Sequence, residues 1–282
     1  MTSKIPRREF FQLAGIAATS MAVTVGACAK KEQPTKKDGY KRLNLGLASY
    51  TFREFSTDEA LSMTNRLGLK WICFKSMHLP LESTPEEIQG VVAKVKKAGL
   101  ELYGCGVVYM NNKAEVHQAF EYAKAAGMKV IIGVPEHHLL ELVNQKVQEF
   151  DIKLAIHNHG PGDERYPTPQ SAYEKIKHLD PRLGLCIDIG HTIRAGVDPS
   201  EAVELFADRL FDVHVKDESA ASNEGQPVEI GRGVIDIPKF LRTLLKINYT
   251  GIVALEYEKD AKDPLPGAAE SIGYLKGVLA VS

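Results

Sequence analysis

The chain has 282 residues, 44% of them apolar, one Trp and a formal net charge of −1. That is enough for one α/β barrel with a large core, for which about 250 residues is typical. Lys and Arg are scattered, so no basic stripe marks a nucleic-acid binder, and no internal run is long enough to span a bilayer.

The first feature in chain order is a leader. Pro6-Arg7-Arg8-Glu9-Phe10-Phe11-Gln12 precedes a mildly apolar stretch, Leu13 to Ala27, and then Cys28. Paired arginines before Phe-Phe and a weakly hydrophobic run resemble a twin-arginine export signal. Val25-Gly26-Ala27-Cys28 resembles a lipobox, which implies lipidation of Cys28. The polar run from Lys30 to Asp38 reads as a tether. The expected organisation is a signal at 1–28, a tether at 29–40 and a catalytic domain at 41–282. The expected location is the periplasm, with membrane contact only through the lipid. With Cys28 set aside, Cys73, Cys105 and Cys186 remain. Their number is odd and all lie in strand-like runs, so they are expected as buried thiols and not as a disulfide framework.

From residue 43 onward, strand and helix alternate. Strands are predicted at 43–49, 70–75, 100–107, 128–134, 152–157, 183–188, 210–216 and 251–256, and helices at 57–67, 85–98, 114–126, 138–150, 169–178, 199–207, 237–247 and from about 267. Ser83-Thr84-Pro85-Glu86-Glu87 and Asp198-Pro199-Ser200-Glu201 carry capping and first-turn signals. Gly68, Gly99 and Gly127 stand where left-handed helix caps are needed. Eight β–α units predict a closed (β/α)8 TIM barrel. No Gly-x-Gly-x-x-Gly follows the first strand, which argues against a dinucleotide fold. The longest irregular segments, 158–168 and 218–236, follow strands five and seven and are expected to wall the pocket.

Four apolar runs in the second half each end in a metal-ligand type: His157, Asp188, His214 and Glu256, spaced 31, 26 and 42 residues apart. One barrel unit takes about 30 residues, so the four stand at the same end of four successive strands. Two imidazoles and two carboxylates left desolvated without a cation would be costly. They predict one divalent ion, and the N2O2 set suits Zn, Mn, Co or Fe without choosing among them.

The order of these ligands with CIDIGH, DVHVKD, GRGVIDIPKFL and GIVALEYE resembles the xylose-isomerase-like barrels, from about residue 43 to the C-terminus. That family includes sugar isomerases and epimerases, inosose dehydratases and type-IV-like endonucleases. The resemblance implies a Glu, Asp, His, Glu ligand set, matched here at the last three positions by Asp188, His214 and Glu256. His157 departs from it. The family's epimerases resemble a machine of two flanking carboxylates, a role that metal-bound imidazole does not fill. The His-Asn-His run at 157–159 resembles the dehydratase-like branch, in which a polarised carbonyl acidifies the neighbouring C–H and a group leaves the next carbon.

Other residues could serve this chemistry. His159, two past His157, shares its face on a continuing strand and is either a further ligand or a group that lines the pocket or holds substrate oxygens. His191 either orients a ligand or touches substrate. Glu136, at the end of strand four, is placed as a base or is a helix-start carboxylate. Lys75 and Lys216 are candidate acids or electrophiles, and an ammonium near a cation would be depressed toward neutrality. Arg232, between two glycines, could bind a substrate oxygen or an anionic group, or brace its loop. The function expected is β-elimination from a carbonyl-form sugar, as by a 3-keto-glycoside lyase or keto-cyclitol dehydratase. Isomerisation or epimerisation is the alternative. A non-catalytic sugar-binding lipoprotein would not need four convergent ligands. An endonuclease would need a basic groove that the charge pattern lacks.

Overall fold

The computed structural model describes residues 43–282. The expected leader, the tether and Cys28 lie outside the described residues. In chain order the strands are β1 (Asn44–Ala48), β2 (Trp71–Phe74), β3 (Glu101–Met110), β4 (Val130–Pro135), β5 (Lys153–His157), β6 (Leu183–Asp188), β7 (Leu210–Val215), the short β8 (Asp217–Glu218) and β9 (Pro227–Val228), and β10 (Ile252–Leu255). β8 and β9 form a small antiparallel pair. The other eight are parallel and close into a barrel, in which β10 joins β7 back to β1.

The helices are α1 (Thr57–Arg66), α2 (Pro85–Lys97), α3 (Lys113–Ala126), α4 (Leu140–Phe150), α5 (Pro169–Ile176), α6 (Ile189–Arg194), α7 (Pro199–Leu205), α8 (Ile237–Lys246) and α9 (Leu265–Val281). Their starts follow the sequence signals. Thr84 and Glu87 exchange bonds in a capping box ahead of Pro85. Gly127 caps α3 in the left-handed region, at φ 70°.

Alternation along the strands sorts the side chains. Ile156, Ile187, Val213 and Val215 are buried on the face opposite the ligands. Ala155, Cys186, Asp212 and Ala254 share the inward face with His157, Asp188 and His214. The interior is therefore narrow and partly polar on this side, with a Tyr103 hydroxyl donating to Asp212 Oδ2 at 3.0 Å. Cys73, Cys105 and Cys186 are free and buried, as expected.

Two local features differ from the sequence expectation. A short helix, α6, starts directly off β6, where a loop was expected. Asp188 explains it: its side chain accepts from His191 N and caps the new helix. The other is the β8–β9 pair inside the expected wall segment 218–236.

Candidate metal centre

Neighbouring ladders fix the heights of the four predicted ligands. Asp188 pairs in register with His214 across β6 and β7, and His157 with Cys186 across β5 and β6. Glu256 follows β10, its amide donating to Val215 O at 3.2 Å. Strand pairing rather than loop chemistry thus brings the four side chains together, and one potential ligand atom of each lies within 4.8 Å of all the others. All four are buried.

His157 Nε2 faces His214 Nδ1 at 3.2 Å and Asp188 Oδ2 at 3.4 Å. His214 Nδ1 lies 3.2 Å from Glu256 Oε2. Ligands about 2.1 Å from one ion in a tetrahedron stand roughly 3.4 Å apart, so these spacings suit a single divalent ion. Asp188 Oδ2 makes no aligned hydrogen bond. The donor set therefore fits the ion that the sequence predicts.

Asp188 divides its carboxylate. Oδ1 accepts from His191 N at 2.8 Å, and Oδ2 turns to the cluster. Asn158 clamps the same residue, accepting from Asp188 N at 3.1 Å and donating to Thr192 Oγ1 at 3.1 Å. Thr192 in turn donates to Asp188 O at 2.6 Å. Asn158 thus orients a ligand from the neighbouring strand.

Lys216 enters the centre itself. Its Nζ is 3.0 Å from Asp188 Oδ2, 2.8 Å from Glu256 Oε2 and 2.9 Å from Glu258 Oε1. Burial works against its charge, but the three carboxylates outweigh burial and hold its pKa well above the ordinary lysine value. Burial likewise opposes ionisation of Asp188 and Glu256, and Lys216 together with the neighbouring histidines outweighs it, so both are held low. Burial keeps His157 well below the usual imidazole range. At His214 burial pulls the same way, but the charge and hydrogen bond of Glu256 together with the charges of Asp212 and Asp188 outweigh it and raise the pKa.

The other predicted residues separate into two groups. His159 and His191 join the cluster: the His157 ring lies 4.5 Å from that of His159 and 5.9 Å from that of His191. Burial lowers the pKa of both. His159 Nε2 meets the Tyr109 hydroxyl at 3.1 Å. Lys75 is partly buried over the Tyr50 ring; burial lowers its pKa, against the pull of Glu256.

Glu136 and Arg232 are held elsewhere. Glu136 is paired with Arg165, which also donates to Val134 O and Asn111 Oδ1. Arg232 makes a two-pronged bond to Glu270 on α9, at 2.5 and 2.9 Å, with its side chain largely in solvent. The loop around it is wound on Asp217, whose carboxylate accepts from Gly231, Gly233 and Ile235 N. A Cβ at Gly233 would sit 2.2 Å from Asp217 Oδ1. The two glycines serve that winding and leave Arg232 turned outward. In this arrangement it braces the loop through Glu270.

The sequence reading passed over Glu218 and Glu258. Both lie at alternate positions beyond a ligand, 218 after 214 and 216, and 258 after 256. The spacing that marked His159 would have found them. Glu218 is 1% exposed, its Oε1 is packed at Gly190, and its Oε2 has no partner. Burial, then the Asp188 charge, pushes its pKa up to about 7. The unfolded chain loses this proton first, so stability falls as pH rises from the ordinary 4.5 to about 7. Glu218→Gln should therefore match wild type near pH 4.5 and exceed it by roughly 1–3 kcal/mol at pH 8, measured by denaturant unfolding of chelated protein. Equal stability at pH 8 would contradict the assignment.

The family model of the xylose isomerase-like TIM barrel matches residues 61–278. Inosose dehydratase of Geobacillus kaustophilus is 30% identical over 149 residues, covering 46% of this chain and 45% of that protein. The rhizopine catabolism protein MocC of Rhizobium meliloti is 29% identical over 148 residues, 47% of this chain and 43% of that protein. The chain thus matches less than half the length of each of these curated relatives. Among solved structures, 3-keto-D-glucoside 4-epimerase from E. coli superposes with a TM-score of 0.68 at 17% identity, over 83% of this chain and 99% of that one. Barrel, ligand order and family match agree: the chain belongs to the xylose isomerase-like TIM barrel family.

Proposed function

We propose that the protein is a divalent-metal-dependent enzyme acting on a carbonyl-form sugar, and that its reaction is β-elimination from a 3-keto-glycoside or a keto-cyclitol. The observation that carries this is the place of His157. Its Nε2 faces the other three ligands, so an imidazole committed to the ion stands where a proton-shuttling carboxylate would be needed for a two-carboxylate epimerisation. The dehydratase named among the relatives supports the same class of chemistry.

The bound ion would supply Lewis-acid polarisation of the sugar carbonyl. The chain's own groups would move the protons. Lys75, lowered by burial, is suited to take the proton from the carbon beside the carbonyl. Lys216 carries its proton at the cluster, and a bound ion that took up Asp188 and Glu256 would weaken their hold on it and ready it to protonate the leaving oxygen. For a 3-keto-glucoside, the C2–H and C1–O bonds break and C1=C2 forms. The aglycone leaves as its alcohol, carrying the proton from the acid. Glu136 is not needed in this scheme, because Arg165 holds it.

Epimerisation or isomerisation is the second reading. It is favoured by the presence of two lysines on different strands, which could serve opposite faces of one carbon, and by the likeness in fold to a keto-glucoside epimerase. One experiment separates the two. Metal-loaded protein is given a 3-keto-glucoside with a chromogenic aglycone in deuterated water. Release of the aglycone with an unsaturated keto-sugar supports the lyase. Clean conversion to an epimer or isomeric ketose, with the glycosidic bond intact, overturns it.

The Arg7-Arg8 pair and Cys28 add a proposal about place: the enzyme works in the periplasm, tethered by lipid. Cys28→Ser should move it from the membrane fraction to the soluble fraction, and persistence in the membrane would refute lipidation there.

A further inference from the structure

A cavity of about 450 Å³ lies beside the metal centre, lined by residues of the segments 74–82 and 105–111 and by α3. Its size falls within the range of small-molecule pockets. One of its wall residues also belongs to the surroundings of the ligand cluster. Tyr109 lines the cavity and reaches His159 Nε2 at 3.1 Å, and the His159 ring lies 4.5 Å from that of His157. Lys75 lines the cavity too, its Nζ 3.5 Å from Val107 O. The cavity thus adjoins the centre through one aromatic ring, and one amine stands in its wall.

The lining identifies a chemistry. Phe74, Leu79 and Val108 give an apolar base. Tyr109 is 45% exposed, an amphipathic ring open to contact. Glu82 and the Gln118 side-chain carbonyl add acceptors, while Glu115 is engaged by Asn111 and Asn112. Two carboxylates against one lysine disfavour a phosphate or another anion. An apolar base, an open aromatic ring and several acceptors suit a neutral ring bearing hydroxyls.

The geometry points to a leaving-group subsite in this cavity that seats the second ring of a keto-disaccharide while the oxidised ring lies at the four ligands. This deepens the proposed reaction and rests on it. The substrate is then a disaccharide, and the group expelled is a whole sugar. The Tyr109 ring orients that group, and Lys75 sits at the junction between the two rings.

The test compares kcat/KM for a 3-keto-disaccharide with that for the methyl 3-keto-glucoside. Wild type should favour the disaccharide by about tenfold or more, equal to about 1.4 kcal/mol. Leu81→Trp, which fills the cavity from its wall, should bring that ratio down to about one. Ser76→Trp, at another wall position, gives the same reading if Leu81→Trp does not fold. No preference in wild type, or a preference that survives both substitutions, overturns the subsite. If no keto-glycoside is processed at all, the proposed reaction fails, and calorimetry with the unoxidised disaccharide then decides the cavity separately. Binding to wild type that Leu81→Trp weakens about tenfold sustains the subsite. Binding that is absent, or unchanged in the variant, removes it.

Discussion

Replacing His214 by Ala should strip the protein of bound divalent metal and of activity while leaving the barrel folded. The ring contributes Nδ1 to the centre, 3.2 Å from both His157 Nε2 and Glu256 Oε2. Loss of an outer-shell partner typically weakens metal binding by about 10–100-fold, and loss of a direct ligand should exceed that. The backbone role of β7 does not depend on the ring, since its ladders to β6 and β10 are made by main-chain groups. Metal content after dialysis, together with far-UV circular dichroism, checks both halves. A variant that keeps its metal would sink the assignment of the centre.

Lys216→Met should act in two opposite directions. In chelated protein it leaves Asp188 and Glu256 facing one another in a buried site without their shared cation, a loss of about 3–5 kcal/mol for breaking a buried ion pair from one side. Added divalent ion should restore most of that stability. It should also bind more tightly than to wild type, because the ammonium no longer competes for the same two oxygens. Turnover should nevertheless fall by about 10²–10⁴-fold through loss of the acid. Denaturant unfolding with and without chelator, and competition against a metal indicator, read these effects. Undiminished stability of the chelated variant, or weaker ion binding, would show that ammonium and ion do not share the carboxylates.

Much of this was legible in the sequence, for identifiable reasons. The strands are short Val-, Ile- and Leu-rich runs bounded by Gly and capping residues, and each predicted strand has its counterpart in the barrel. Because ligands at strand ends inherit the register of the sheet, spacing alone was enough to group His157, Asp188, His214 and Glu256. Residues on loops were harder to place. Arg232 between glycines suited either a substrate arm or a loop brace, and the choice depends on Asp217 of β8, which winds that loop and turns the side chain to Glu270. Glu136 stood at the right height on β4, and its capture by Arg165 depends on the course of the 158–168 segment. The start of α6 is hidden in the sequence because Asp188, a predicted ligand, also caps the helix through His191 N.

The ring of strands is divided between two tasks. All four predicted ligands, and Lys216 with them, come from one unbroken arc, β5, β6, β7 and β10, whereas Lys75, Tyr109 and the cavity walls come from the facing arc of β2 and β3 with their loops and α3. Change on one arc can therefore proceed without disturbing the other. A lineage could exchange one sugar partner for another by editing the loops after β2 and β3 and, so long as Lys75 is kept, inherit its chemistry. Relatives that share ligands would then differ in diet, and a ligand-arc match alone would predict the bond attacked better than the molecule that carries it.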